Sequence, residues 1–199
     1  IVKERLVDTL LGCGIAFAAS YLFLPKWESE QVPQLLKQLL QANLQYLEKV
    51  VAHLSGHPVS SANHKLARKE VYVHAANLSA AFQRMLSEPK DKQRNSKALH
   101  QFVVLNNILF SNVATLAAST LRKELRVYPE PVLKAARRSL TRLCESLQLL
   151  DPDCKPLTIP AATPAAVNTS IDDVLLEEQL QFIENLSSDI GKTVREVNS

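Results

Sequence analysis

The chain has 199 residues, 46% hydrophobic and 22% charged, with a formal net charge of +3, values that exclude a disordered or collagen-like polymer. Four glycines and 6% aromatic residues are too few for the hairpins and strands of an all-β fold. A charge of +3 is also too mild for phosphate tracking, which masses basic residues on one face, so the predicted class is all-α and nucleic acid is not an expected partner.

The first element is an apolar stretch, ERLVDTLLGCGIAFAASYLFLPKW, from Glu4 to Trp27. Between Leu6 and Leu24 only Asp8, Thr9, Ser20 and Tyr21 interrupt it. At about 1.5 Å per residue it reaches roughly 28 Å, enough to cross a hydrocarbon core. A secretory signal would have a shorter apolar core, no acid at its start and a small-residue cleavage site before the mature chain. Here Tyr21, Leu22, Phe23 and Leu24 continue past Ala18-Ala19-Ser20. Pro25 marks where the helix ends or bends, and the Trp27 ring suits a membrane interface. A buried helix of a soluble protein remains the alternative on length alone. Because position 1 is Ile, an upstream portion is expected.

In a bilayer, Asp8 would lie about one turn inside, where an acid needs a partner or a task. Arg5, three residues earlier, shares its face and can neutralise it or be offered to a substrate. Gly12 with Ala16, and Gly14 with Ala18, are small residues four apart that let a second helix approach. The stretch therefore predicts neighbouring membrane helices.

From Ser29 the pattern becomes amphipathic. Val32, Leu35, Leu36, Leu39, Leu40, Leu44, Leu47, Val50, Val51 and Leu54 hold the three-and-four spacing of one helical face. Gly56 and Pro58 stop that helix. The next starts near Ser60 or Ser61, carries Val71, Leu78, Phe82 and Met85 inward, and ends before Pro89. A third carries Leu99, Phe102, Leu105, Leu109, Val113 and Leu116. Pro129 suits the first turn of a fourth, whose stripe is Leu133, Ala136, Leu140, Leu143, Leu147 and Leu150.

Asp151 to Thr169 holds four prolines without periodicity and reads as a linker or surface strap. Ser170-Ile171-Asp172-Asp173 resembles a capping box, opening a last helix with Leu176, Leu180, Ile183, Ile190 and Val194 inward. The expected organisation is a transmembrane helix and interface over 1–28, a four-helix bundle over 29–150, a proline-rich linker over 151–170, and a helix over 171–199 packing back on an antiparallel bundle. The fourth helix region is basic (Lys123, Arg126, Lys134, Arg137, Arg138, Arg142) and the last is acidic (Asp172, Asp173, Glu177, Glu178, Glu184, Asp189). The two are expected side by side, although anionic lipid is a second use for the basic face.

No nucleophile constellation, phosphate loop or metal cluster is visible, so no enzyme activity, cofactor or metal is expected. His53 and His57 have a zinc-compatible spacing, but Gly56 and Pro58 break the helix and no acidic or Cys ligand stands nearby. His64, His74 and His100 are scattered and read as surface or cap residues. Asn106, Asn107 and Asn112 interrupt the third bundle helix and are expected to mark its solvent side rather than a polar pocket. Cys13, Cys144 and Cys154 form no C-x-x-C and no disulfide framework, which favours a reducing compartment.

The pattern R-x-x-D-T-L-x-G at Arg5, Asp8, Thr9, Leu10 and Gly12, the apolar run to P-x-W at Pro25 and Trp27, and the A-N-x-x-Y-L at Ala42, Asn43, Tyr46 and Leu47 resemble the fusaric acid resistance (FUSC) family of bacterial inner-membrane proteins, most closely its YccS-like branch. The resemblance covers Ile1 to about Leu54; the later helices match in character and order. It implies the C-terminal part of a longer protein in which membrane helices alternate with cytoplasmic helical domains, acting as an exporter of aromatic or other organic acids.

On that reading Arg5, Asp8, Thr9 and Gly12 belong to the transport path or to helix packing, and Trp27 to the interface. An Arg near the membrane edge would attract a carboxylate and an Asp would carry a proton. The expected partners are the rest of the transporter's membrane domain, membrane lipids and a further copy in a homo-oligomer. The expected location is the inner membrane, with the chain after residue 28 in the cytoplasm. The competing reading is a membrane-anchored helical interaction module with no transport role.

Overall fold

The computed structural model describes residues 2–22, 28–90, 93, 95–121, 125–154 and 171–198. Six helices account for almost all of them: α1 (Val2–Leu22), α2 (Glu28–Leu54), α3 (Ser61–Leu86), α4 (Ser96–Thr120), α5 (Glu130–Gln148) and α6 (Ile171–Asn198). The fold is all-α. Among the described residues the only β-type pairing is an isolated bridge between Ser55 and Val127.

The ends of the helices follow local chemistry. Gly56, at φ +82°, takes the left-handed conformation that closes α2, and a Cβ there would meet Val127 Cγ2 at 2.9 Å. The Tyr128 amide donates to the Leu54 carbonyl at 3.1 Å, which ties the end of α2 to the start of α5. Ser60 caps α3 by accepting from the Asn63 amide at 3.2 Å. Pro129 stands at the N-cap of α5 and Pro131 in its first turn, so the proline inside the helix is two positions later than the sequence suggests.

Paired contacts give the directions. Tyr72 on α3 meets Phe110 on α4 and Phe82 meets His100, so rising numbers meet falling ones and these helices are antiparallel. Asn43 and Tyr46 on α2 meet Asn106 and Phe110 on α4 in the same order, so α2 and α4 are parallel. Lys37 near the start of α2 pairs with Asp151 just after α5 at 3.0 Å, opposing those two. The alternation expected of an antiparallel bundle thus holds from α2 to α5.

The last helix departs from it. The hydroxyls of Ser139 and Ser146, two turns apart on α5, donate to the carbonyls of Leu180 and Ser187 on α6 at 2.8 and 2.9 Å. Both numbers rise together, so α6 runs parallel to α5, while the Asn95 amide group donates to the Val197 carbonyl at 3.1 Å and sets α6 against α4. A Cβ on Gly191 would come within 2.7 Å of Ser146 Oγ, so only glycine admits this approach.

The core is one cluster shared by α2 to α6. Leu36, Leu40, Leu47, Val50, Leu54, Val71, Leu78, Met85, Phe102, Leu109, Leu116, Leu143, Leu180, Ile183 and Ile190 are all buried, as the three-and-four spacing requires. The hydrophobic burial of this cluster is the main stabilising term. Basic α5 and acidic α6 do lie side by side. Asp173, fully buried, receives the Arg126 guanidinium, whose central carbon also lies 4.4 Å from the Tyr128 ring centroid.

Among the described residues, one helix is long and apolar enough to cross a membrane by length and composition, and it is α4 rather than α1. Its apolarity has an internal use, because Leu99, Phe102, Leu109, Val113 and Leu116 are buried in the bundle core. The capping residue Ser170, and most of the 151–170 linker, lie outside the described residues.

Candidate functional site

α1 has two unlike faces. Arg5, Asp8, Thr9, Gly12 and Ala16 fall at helical spacings of three and four and share one side. The other side carries Val7, Leu10, Leu11, Ile15 and Ala18 around Gly14, where the missing side chain leaves a shallow apolar notch. Every residue from Lys3 to Ala18 is exposed. Leu6, Leu10, Ile15 and Phe17 each show more than half of their surface. A Cβ on Gly12 or Gly14 would meet nothing within 4 Å.

The polar side behaves differently from what its spacing suggests. Arg5 and Asp8 form no ion pair with each other, and neither has a charged partner among the described residues. The Thr9 hydroxyl instead donates to the Arg5 carbonyl at 2.8 Å, a local bond that satisfies the threonine inside its own helix. Arg5, Asp8, Thr9 and Gly12 are therefore brought onto one open face, with guanidinium and carboxylate both presented outward. Trp27 lies outside the described residues.

The A-N-x-x-Y-L segment is a packing element. Ala42, Asn43, Tyr46 and Leu47 are all buried. Asn43 Nδ2 donates to Asn106 Oδ1 at 3.1 Å, and Asn106 Nδ2 donates to the Phe102 carbonyl at 2.9 Å. Asn106 thus stands in the core, not on the solvent side, whereas Asn107 is exposed. An asparagine on an apolar stripe pays its desolvation only with a partner, and α2 supplies one. Its phase offered the signal: Asn106 falls four after Phe102 and three before Leu109.

The histidines divide in a way the sequence does not show. His53 is buried within the last turn of α2 and His57 is exposed beyond it, so the helix end separates the pair. His64, read as a surface or cap residue, is partly buried with its ring centroid 5.3 Å from that of Tyr46. Burial, then the Arg68 and His53 charges, hold the His64 pKa below the usual histidine range. Burial also raises the Tyr46 hydroxyl to about 12, a rise that the Arg68 charge opposes. His74 lies 3.7 Å from Glu70 one turn before it. Among the described residues no three His, Cys, Asp or Glu side chains converge as metal ligands would.

No family model matches the chain, and no solved structure matches it. Three curated proteins do. The chain is 28% identical over 118 residues to the inner membrane protein YccS of Escherichia coli K12, an alignment covering 59% of this chain and 16% of that protein. It is 31% identical over 118 residues to an uncharacterised protein of Haemophilus influenzae, covering 59% and 16%. It is 30% identical over 87 residues to the uncharacterised protein ORF2 of Neisseria gonorrhoeae, covering 43% and 21%. The matched part spans about a sixth of the length of the first two relatives. The expected resemblance to the YccS-like branch is borne out as a similarity over 59% of the chain.

Proposed function

We propose that the chain is a membrane helix and cytoplasmic helical bundle of an inner-membrane transporter that exports organic acids, the bundle serving assembly or regulation. The observation that carries this reading is the similarity to the inner membrane protein YccS, joined to an α1 whose apolar side chains from Leu6 to Ala18 are all exposed. A helix with that much uncovered apolar surface is stable where lipid or other apolar helices surround it. In this reading Gly12 and Gly14 admit neighbouring helices, Arg5 attracts the carboxylate of the cargo, and Asp8 relays a proton. The reducing environment of the cytoplasm fits the three cysteines, none of which is in a disulfide. The bundle has no catalytic task.

Carbonate extraction of membranes carrying the full-length protein tests the location. Retention, with labelling of Cys154 only after the inner membrane is permeabilised, supports it, and release into the soluble fraction overturns it. For the transport step, Asp8→Asn is expected to lower export of an aromatic acid from loaded cells at unchanged protein level and insertion. Unchanged export removes Asp8 from the proton path and favours the anchored interaction module.

A further inference from the structure

The bundle holds a pair of nucleophiles that the transport reading does not use. Cys144 stands one turn before the end of α5 and is 5% exposed. Cys154 follows ten positions later, beyond the helix and only partly buried. A continued helix would carry the second residue about 15 Å onward, yet the two sulfur atoms are 4.0 Å apart. The chain doubles back, and a set of hydrogen bonds builds the turn that returns it. The Leu150 and Asp151 amides both donate to the Leu147 carbonyl at 2.9 Å, and the Cys154 amide donates to the Asp151 carbonyl at 3.0 Å. The Gln148 side-chain amide then donates to the Cys154 carbonyl at 3.0 Å.

The two halves of the pair differ in access and in freedom. Cys144 is fixed by its helix and belongs to the core cluster, while Cys154 rides on non-helical backbone. Approach to bonding distance therefore falls on the turn and leaves α5 intact. A small oxidant meets Cys154 first, because that residue is the more exposed. The same turn also reaches another helix: Asp151, which lies between the two cysteines in the chain, pairs with Lys37 of α2 at 3.0 Å. Whatever holds the turn holds that ion pair.

We propose that Cys144 and Cys154 are a redox-active dithiol, oxidised by hydroperoxides to a disulfide that fixes the turn after α5 and, through Asp151, the first half of α2. The Cys154 sulfur attacks the hydroperoxide, the O–O bond breaks, an alcohol or water leaves, and Cys154 becomes a sulfenic acid. The Cys144 sulfur then attacks Cys154 Sγ, the S–O bond breaks, and the oxygen departs as water with the Cys144 proton. Two thiols lose two electrons and two protons, and the hydroperoxide takes both. A dithiol reverses the step by exchange. In a reducing compartment such a bond is transient, which suits a sensor rather than a staple. The inference goes beyond the transport reading and stands without it, because each of its groups belongs to the bundle.

The test uses the whole chain in lipid nanodiscs with Cys13→Ser, which leaves only this pair to react, and hydrogen peroxide as the probe. Peptide mass spectrometry is expected to find Cys144 bonded to Cys154 within one chain, and dithiothreitol to undo the bond. In Cys144→Ser, dimedone is expected to trap a sulfenic acid at Cys154; in Cys154→Ser, Cys144 is expected to stay a thiol. Oxidation is expected to slow amide exchange over the first half of α2 by about threefold, the scale of one partly exposed ion pair. Lys37→Gln is expected to abolish that slowing while the bond still forms. Oxidation to sulfinic acid without a bond, dimedone on Cys144 rather than Cys154, or α2 exchange that ignores oxidation overturns the proposal. Failure of Asp8→Asn to alter export leaves all of these readouts intact, so the two readings fall separately.

Discussion

Asn43 and Asn106 meet side chain to side chain inside the bundle, Nδ2 to Oδ1 at 3.1 Å, with both residues at most 2% exposed. Each lies on a stripe of buried apolar residues, Leu39, Leu40 and Leu47 on α2 and Phe102 and Leu109 on α4, so the amide pair fixes the register of α2 against α4: a slide by one turn would leave two amides in hydrocarbon. Asn106→Ala should cost about 1–3 kcal/mol, because it strands Asn43. Asn43→Leu with Asn106→Leu should cost less than the sum of the two single changes. Chemical denaturation of the four proteins in a double-mutant cycle measures the coupling, and strict additivity would show that the amides act independently.

The Arg126–Asp173 pair joins the approach to α5 with the first turn of α6. Asp173 is fully buried and Arg126 about a third exposed, so the two halves are not equivalent. Arg126→Ala should cost roughly 2 kcal/mol or more, somewhat under the 3–5 of a wholly buried pair, since the carboxylate stays buried while its cation is gone. Arg126→Lys should recover part of this. A melting temperature unchanged by Arg126→Ala would mean that Asp173 is held by its other contacts.

The His64 pKa lies below its unfolded value because burial, Arg68 and His53 disfavour the imidazolium. The unfolded chain therefore takes up a proton first as the pH falls, and stability contributed by neutral His64 is full above about pH 6.5 and lost as the pH drops below it. His64→Gln should flatten the decline of stability between roughly pH 7 and pH 5. The groups that face it, His53 and Tyr46 on α2 and Lys65 and Arg68 on α3, remain in that variant. An identical pH profile for parent and variant would remove His64 as the cause.

Cys144 on α5 and Cys154 beyond its end hold their sulfur atoms 4.0 Å apart. Closing to the roughly 2.05 Å of a disulfide needs a shift of about 2 Å. Mild oxidation with diamide should join these two within one chain and leave the exposed Cys13 open to alkylation. Intact mass after alkylation should show one modified cysteine; three modified cysteines, or dimers alone, would contradict the juxtaposition.

Most of the helical layout was legible because leucine phase and the Gly, Pro and Ser breaks act locally. The stripe from Val32 to Leu54 packs inward as its spacing predicts, with Leu35 only partly buried. What escaped depends on partners distant in sequence. Asn106 is polar by type and core by position, and only α2 shows that its amide is satisfied. Asp173 reads as a cap residue, yet Arg126 draws it fully inside. On α1 the spacing correctly put Arg5, Asp8, Thr9 and Gly12 on one face; that Arg5 and Asp8 stay apart follows from side-chain conformation, which spacing does not specify.

The parallel course of α5 and α6 has a consequence for how the molecule assembles. Helices α2, α3 and α4 can pair as each emerges, whereas α5 returns to the much earlier α2, as Lys37 with Asp151 shows. α6 also reaches back: its contacts to Ser139 and Ser146 are 41 positions away, and its contact to Asn95 is 102 away. The docking of α5 and α6 is the high-contact-order step, slow by topology, and until α6 arrives the side of α5 that carries Ser139 and Ser146 lies open to the solvent and to other chains. A bundle caught before that event is a four-helix intermediate with a sticky wall, and the seam between α5 and α6 is where its folding finishes.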